Sequence, residues 1–325
     1  KLAQFYLAQA GALRAREDTQ GTANALGLAQ EQVKEVLARA PEDPEGLTLE
    51  ANLWAQEGET DRAVAQLEKV LAREPGLNSA VTVLAGLYEK ANRPGDAERV
   101  LVAGVDASDD PTPLRLRLAQ FYGGQQQAEK AEQVLRTLID SDPEKLAYRI
   151  SLASMLSQTG QQDKAEEVLR VAIQAAPDEA QRYVLLAEFL AAQRSKDAAI
   201  QELNSFIQKH PDMTELRFAL VKLKLENQQI EEAEKTLQEI IVREDVQPAG
   251  LTARAKLAQI LASQDPDDPR IVTLLDEVLK ENPRDNDSLL LKGKLELRKG
   301  NYVDAIANLR SVLKDQPNSP ELLQL

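Results

Sequence analysis

Few residues in this chain are suited to chemistry, and their spacing argues against a reaction centre. The one histidine, His210, precedes Pro211 at the end of a helix-like segment. A cation is favoured by the helix dipole there. With no cysteine and no second imidazole in 325 residues, nothing can partner it as nucleophile or metal ligand. Zero Cys also excludes disulfides, thiolate catalysis and iron–sulfur ligation. Asp265, Asp267 and Asp268 stand close together but lack the spacing and the glycine of a calcium loop, so they read as an exposed acidic turn. Glu231-Glu232-Ala233-Glu234 opens a helix, where carboxylates complement the N-terminal dipole, and reads as structural. Gly123-Gly124 reads as a helix-ending turn, since no Lys-Ser/Thr phosphate loop follows. No catalytic residue, cofactor site or metal site is expected.

The charge balance narrows the partners. There are 53 acidic residues against 39 basic, a net charge of −14. Counterion release from nucleic acid needs clustered Lys and Arg, so a nucleic-acid partner is not expected. No apolar run approaches the roughly 20 residues of a membrane span. The chain opens on Lys1 and not on Met, which reads as an excised fragment, leaving room for targeting signals or a lipid anchor upstream.

The elements that carry these residues recur with a fixed period. Ala stands at 29, 63, 97, 131, 165, 199 and 233, each 34 residues from the last. A slip of four places Ile271 in register, and Ala305 follows 34 later. A second small-residue series runs through Ala51, Ala85, Ala119, Ala153 and Ala187, with Val221 next. Pro recurs at 41, 75, 143, 177, 211, 283 and 317, with Asp109 standing where one Pro would fall.

One period has the pattern of a helical hairpin. In 146–179, Leu152, Ala153 and Leu156 form an apolar stripe at helical spacing. The stretch from Thr159 to Asp163 breaks it, with Gly160 free to adopt positive φ and Asp163 expected to cap the second helix. That helix carries Ala165, Val168, Leu169 and Ala172 on one stripe, and Pro177 ends it. The two Ala columns let neighbouring backbones approach closely. One hairpin cannot bury both its faces, so an all-α solenoid of stacked antiparallel helix pairs is predicted.

The pattern resembles the tetratricopeptide repeat family, with its 34-residue unit, small residues at positions 8 and 20 and Pro at 32. The matching residues are Leu118-Ala119, Tyr122, Ala131, Leu135 and Pro143, and Leu84-Ala85, Tyr88, Ala97 and Leu101 one unit earlier. About nine units are legible as a single stack over 1–325. The usual aromatic at position 4 is replaced by Arg115, Arg149 and Arg217, with Tyr183 alone aromatic. The resemblance implies a right-handed superhelix with the first helix of each unit lining a concave face.

Two segments break the register. Ala29 lies 26 residues after Ala3 against the usual 12, so about 14 residues are inserted near 14–25 of the first unit (1–43), as a loop or a helix extension. Over 244–270 a longer, irregular connection is expected. Leu322-Leu323, in the segment 319–325, reads as the start of a truncated next helix.

What remains for function is surface. Position 5 of successive first helices holds Leu116, Ile150, Val184 and Phe218, a ladder that either faces the groove or packs sideways on the preceding repeat. Beside it stand Arg115, Arg149, Arg182 and Arg217, which either flank a groove or pair with nearby carboxylates. Asn52, Gln120, Ser154 and Lys222 at position 9, with Gln158, complete the expected groove. Relatives that grip a chaperone tail use Lys at position 5. Here that position is Thr48, Thr82, Leu116, Ile150, Val184 or Phe218, so tail binding is not expected. The function expected is a non-catalytic scaffold or adaptor for protein partners, with acidic or amphipathic segments the best match. The Ala/Leu/Gln-rich repeats are also similar to those of bacterial envelope lipoproteins and exopolysaccharide-export scaffolds, which implies a periplasmic or envelope setting. Two alternatives stay open: the substrate-selecting part of a larger enzyme such as a glycosyltransferase, and direct binding of an anionic polysaccharide by the Arg column.

Overall fold

A computed structural model describes residues 1–316; Pro317 and the segment around Leu322-Leu323 lie outside them. The described residues form eighteen α-helices and no strand. They fall into two compact units that divide between Ala165 and Glu166. Where each hairpin packs only on its neighbours, few contacts cross any one repeat boundary.

The first unit holds α1 (Leu2–Ala15), α2 (Thr19–Arg39), α3 (Pro44–Glu57), α4 (Thr60–Arg73) and α5 (Asn78–Lys90). It continues with α6 (Pro94–Ala107), α7 (Thr112–Gly124), α8 (Ala128–Ser141) and α9 (Leu146–Gln158). The division falls inside α10 (Gln162–Ala175). The second unit continues through α11 (Ala180–Gln193), α12 (Lys196–Lys209), α13 (Thr214–Glu226) and α14 (Ile230–Glu244). It closes with α15 (Pro248–Gln264), α16 (Pro269–Glu281), α17 (Asn286–Lys299) and α18 (Tyr302–Asp315).

First helices pack on the second helix of their own hairpin in α1/α2, α3/α4, α5/α6 and α7/α8 of the first unit, and in α11/α12, α13/α14, α15/α16 and α17/α18 of the second. First helices also pack directly in the pairs α1/α3, α3/α5 and α5/α7 of the first unit, and α11/α13 and α15/α17 of the second. Both Ala columns are buried at these crossings: Ala51, Ala85, Ala63, Ala97 and Ala131 in the first unit, Ala199, Ala233 and Ala258 in the second. A second column of contacts is aliphatic, with Leu67, Leu84, Leu101 and Leu114 filling the first unit and Leu237, Ile240, Leu257 and Leu275 the second.

The turn inside the hairpin has its own 34-residue rule. Gly58, Asn92, Gln126, Gly160 and Gln228 all take positive φ at equivalent positions, as does Gly300. Asp163, expected just before the second helix as its cap, instead lies within α10. The helix begins at Gln162, which places the Asp163 carboxylate in its first turn, where the dipole favours it.

Both register breaks are absorbed by helices. Ala3 is followed by twelve residues of α1 where Ala153 is followed by five of α9; Ala29 is preceded by ten residues of α2 where Ala165 is preceded by three of α10. Each helix of the first hairpin thus runs about two turns further on the side of the connecting turn, which keeps the same faces in register. Ala10, Thr22 and Ala25 are buried in the extension, and Asp18 caps α2 by accepting the Gly21 N–H at 2.8 Å.

The longer connection expected over 244–270 is instead a longer helix. α15 has 17 residues where α13 has 13, and only Asp245–Gln247 separate it from α14. The tight entry is made by Asp245 at φ 46° and by Gly250, whose missing side chain admits the Asp245 carbonyl.

Candidate functional site

The Arg column does not line a groove. Arg149, Arg182 and Arg217 are buried, and their guanidinium groups reach main-chain carbonyls. Arg149 donates to the carbonyl of Pro143, and Arg217 Nη1 to that of Pro211 at 2.7 Å. Arg182 donates to the Ala172 carbonyl at 3.0 Å, in the last turn of α10, and to Glu179 at 2.8 Å. These carbonyls lie at or just beyond the ends of preceding helices, where acceptors lack intrahelical partners and the dipole favours a cation. That, with the fork of guanidinium donors, compensates burying the charge. Arg115 is only half-buried and makes no hydrogen bond to a carbonyl among the described residues.

Tyr183 performs the same task in the one repeat with an aromatic at this position. Its hydroxyl donates to the Pro177 carbonyl at 2.8 Å, leaving the oxygen to accept from His210 Nε2 at 3.0 Å. His210 is otherwise the C-cap of α12, its N–H bonded to the Phe206 carbonyl at 2.8 Å. Burial pushes the Tyr183 phenol up. Sequence reasoning missed a further member, Arg254, because the lengthened α15 shifts its register. It stands four residues before the buried Ala258, as Arg217 stands before Val221, and it donates to the Asp245 carbonyl at 2.7 Å and to Glu277 at 2.6 Å.

The other candidates for chemistry are structural. Asp268 caps α16 through the Arg270 N–H at 2.8 Å, and Asp265 accepts the Asp267 N–H at 3.0 Å. Glu232 pairs with Lys235 at 2.7 Å in the first turn of α14, and Glu234 accepts from Gln264 at 2.9 Å. Among the described residues, no group of three His, Cys, Asp or Glu could hold a metal ion, and no helix is long and apolar enough to cross a membrane.

The concavities lie where first helices part. In the first unit, α7 and α9 do not approach each other as α5 and α7 do among the described residues, and a cleft of about 320 Å³ opens between them. Leu116, Ala119, Leu135 and Met155 form its apolar surface. Gln120, Ser151, Ser154 and Gln158 give it amides and hydroxyls, and no charged side chain lines it. Gln158 Nε2 donates to Ser154 Oγ at 3.3 Å. Gly123 and Gly124 end α7 at one side. A Cβ at either would meet nothing within 4 Å, so the absent side chains open the cleft instead of easing packing.

Four of the expected groove residues therefore meet here: Leu116, Gln120, Ser154 and Gln158. Ile150 is 38% exposed on α9 but outside the cleft, and Asn52 is half-buried on α3. In the second unit, Val184 is half-buried on α11, while Phe218 and Lys222 line a second cleft between α13 and α15. Ser151 and Met155 were missed, although they lie one turn before and one residue after Ser154, on the face that position 9 marks.

Models of the tetratricopeptide repeat match residues 18–78, 55–113, 116–180, 190–257 and 272–320. No curated protein matches the chain. Among solved structures, PilW, a type IV pilus biogenesis factor, is 18% identical, with 67% of this chain and 99% of that one covered and a TM-score of 0.42. PilF of Pseudomonas aeruginosa is 18% identical over 65% of this chain and 94% of its own, with a TM-score of 0.40. The C-terminal part of a TPR repeat-containing protein from Cytophaga hutchinsonii is 12% identical, covering 85% and 98%, with a TM-score of 0.43.

Proposed function

This chain belongs to the tetratricopeptide repeat family, and from that premise we propose that it is a non-catalytic scaffold that holds an extended segment of a partner protein in the cleft between α7 and α9. The observation that carries the reading is the lining of that cleft. An extended segment brings unpaired amides and carbonyls, which must find partners when they leave water. The walls are helices whose own backbones are bonded internally, so side chains must supply those partners. Gln120, Ser154 and Gln158 do so along one edge, while Leu116 and Met155 receive small apolar side chains.

Affinity capture with the whole chain tests this by comparison. Ser154→Arg, which fills the cleft with an exposed side chain, is expected to lose the partner retained by the native chain. Arg136→Glu, on the exposed surface of α8, is expected to keep it. Identical captured proteins from all three would overturn the reading. An envelope setting belongs to the same proposal and rests on the Ala/Leu/Gln-rich repeats; fractionation of cells expressing the full-length gene product checks it. The burial of Arg149, Arg182 and Arg217 counts against direct binding of an anionic polysaccharide by the Arg column.

A further inference from the structure

The cleft between α13 and α15 differs in kind from the one in the first unit. It encloses about 550 Å³ and is bounded by Phe218, Leu225, Ile230 and Ile260. Leu225 and Ile230 are 37% and 39% exposed, an unusual position for large apolar side chains on adjoining elements. Phe218, Lys222 and Leu225 follow one another along α13 at intervals of four and three residues, as Lys256, Ile260 and Ser263 do along α15. Two ridges, each about two turns or 10 Å long, thus flank one trough.

Its polar groups do not suit an extended chain. Of the uncharged ones, Ser263 already donates to the Ile260 carbonyl at 2.6 Å, which leaves Gln259. A helix satisfies its own backbone and needs only a groove for its apolar ridge. The charges choose its sign. Lys222 is bridged to Glu188 at 2.8 Å, which pushes its ammonium pKa up. Lys256 is exposed on the opposite wall and makes no ion pair among the described residues. Glu188 and Glu226 both bear on Lys222, which leaves Lys256 as the cation of the lining with no carboxylate paired to it among the described residues. In a chain of net charge −14 an unpaired lysine at the edge of an apolar trough favours a partner with a carboxylate at that point.

We propose that the α13/α15 cleft docks an amphipathic helix of a partner protein that presents large apolar side chains one turn apart with a carboxylate beside them. The inference does not rest on the α7/α9 reading, since the two clefts lie in different units and have different chemistry. The apolar ridge supplies the affinity, and the carboxylate opposite Lys256 sets orientation and preference.

The test uses the whole chain and four fluorescein-labelled, alanine-based peptides read by fluorescence anisotropy. The first carries two leucines one turn apart with flanking glutamates. The second has lysines for the glutamates, the third alanines for the leucines, and the fourth a central proline that breaks the helix. The first is expected to bind tightest, with the lysine peptide weaker by about five-fold. Lys256→Glu is expected to reverse the order of the glutamate and lysine peptides. Leu225→Asp is expected to weaken the first peptide by about ten-fold or more. Both substituted side chains are exposed, so circular dichroism should show native folding for each variant. Absence of binding by the first peptide, native preference for lysine, an unchanged order in Lys256→Glu, or equal binding of the proline peptide would each overturn the proposal.

Discussion

Arg217 Nη1 donates to the carbonyl oxygen of Pro211, six residues back, at 2.7 Å, and this one bond ties the start of a first helix to the connection before it. Tyr183 makes the same bond to Pro177 at 2.8 Å in the preceding repeat. The requirement at this position is a donor of the right reach, which a phenol and a guanidinium both provide. Arg217→Ala is expected to lower stability by about 1–3 kcal/mol, because it removes a charge-assisted hydrogen bond and leaves a void. Arg217→Tyr should recover at least half of the loss. Urea unfolding followed by circular dichroism measures both; equal losses would show that a phenol does not replace the guanidinium at this position.

The hairpin turn offers a stabilising change. Gln126 and Gln228 hold positive φ, at 58° and 60°, where Gly58 and Gly160 stand in other repeats. A side chain in that region is strained by about 1 kcal/mol, partly offset by the greater freedom of glycine in the unfolded chain. Gln126→Gly is therefore expected to raise the urea midpoint modestly, and Gly160→Val to lower it by more.

The entry to α15 should be the least tolerant glycine site. A Cβ on Gly250 would stand 2.0 Å from the Asp245 carbonyl oxygen, which is backbone and cannot swing away. Gly250→Ala is expected to cost about 2 kcal/mol or more, since α15 must shift and the Arg254 bond to the same carbonyl goes with it. Gly123→Ala, with open space around it, should be nearly silent, and thermal unfolding of the two variants separates them.

Two buried phenols predict a loss of stability in alkali. Tyr88 donates to Glu68 at 2.7 Å and Tyr122 to Glu98 at 3.0 Å. Burial first, and the adjacent carboxylate second, push both phenols up to about 12. An unfolded tyrosine ionises near pH ~10, so above it the unfolded state releases a proton that the folded state still holds. The contribution is present in full below pH ~10 and is lost as pH rises toward the folded value, by up to about 2 kcal/mol per tyrosine. Tyr88→Phe and Tyr122→Phe should each flatten the fall in urea midpoint over that window.

Ala29 to Ala233 at intervals of 34, with Ala51 to Ala187 in the second series, are enough to specify paired helices with close crossings, because a small residue at a fixed helical position acts within one hairpin. The family resemblance was legible on the same residues. The inserted residues were also visible, but whether they made loops or turns of helix was not. Two further turns at the end of α1 and at the start of α2, on either side of their connection, keep the apolar faces opposed, and that matching is settled only when the two helices pack.

The side chains at the surface were read less well, for a reason that Arg149 and Ser154 illustrate. Both recur at marked positions, and periodicity assigns each to a stripe of its helix. Whether that stripe faces solvent, a neighbouring carbonyl or a cleft depends on what the adjacent repeat brings to it. Arg149 found the Pro143 carbonyl and turned inward; Ser154 found a gap between α7 and α9 and stayed accessible. The repeat itself was determined by the order of residues along the chain, because helix periodicity and small-residue spacing act locally. Where neighbouring first helices touch and where they part was decided by tertiary packing alone, since that spacing depends on side chains from several helices acting together.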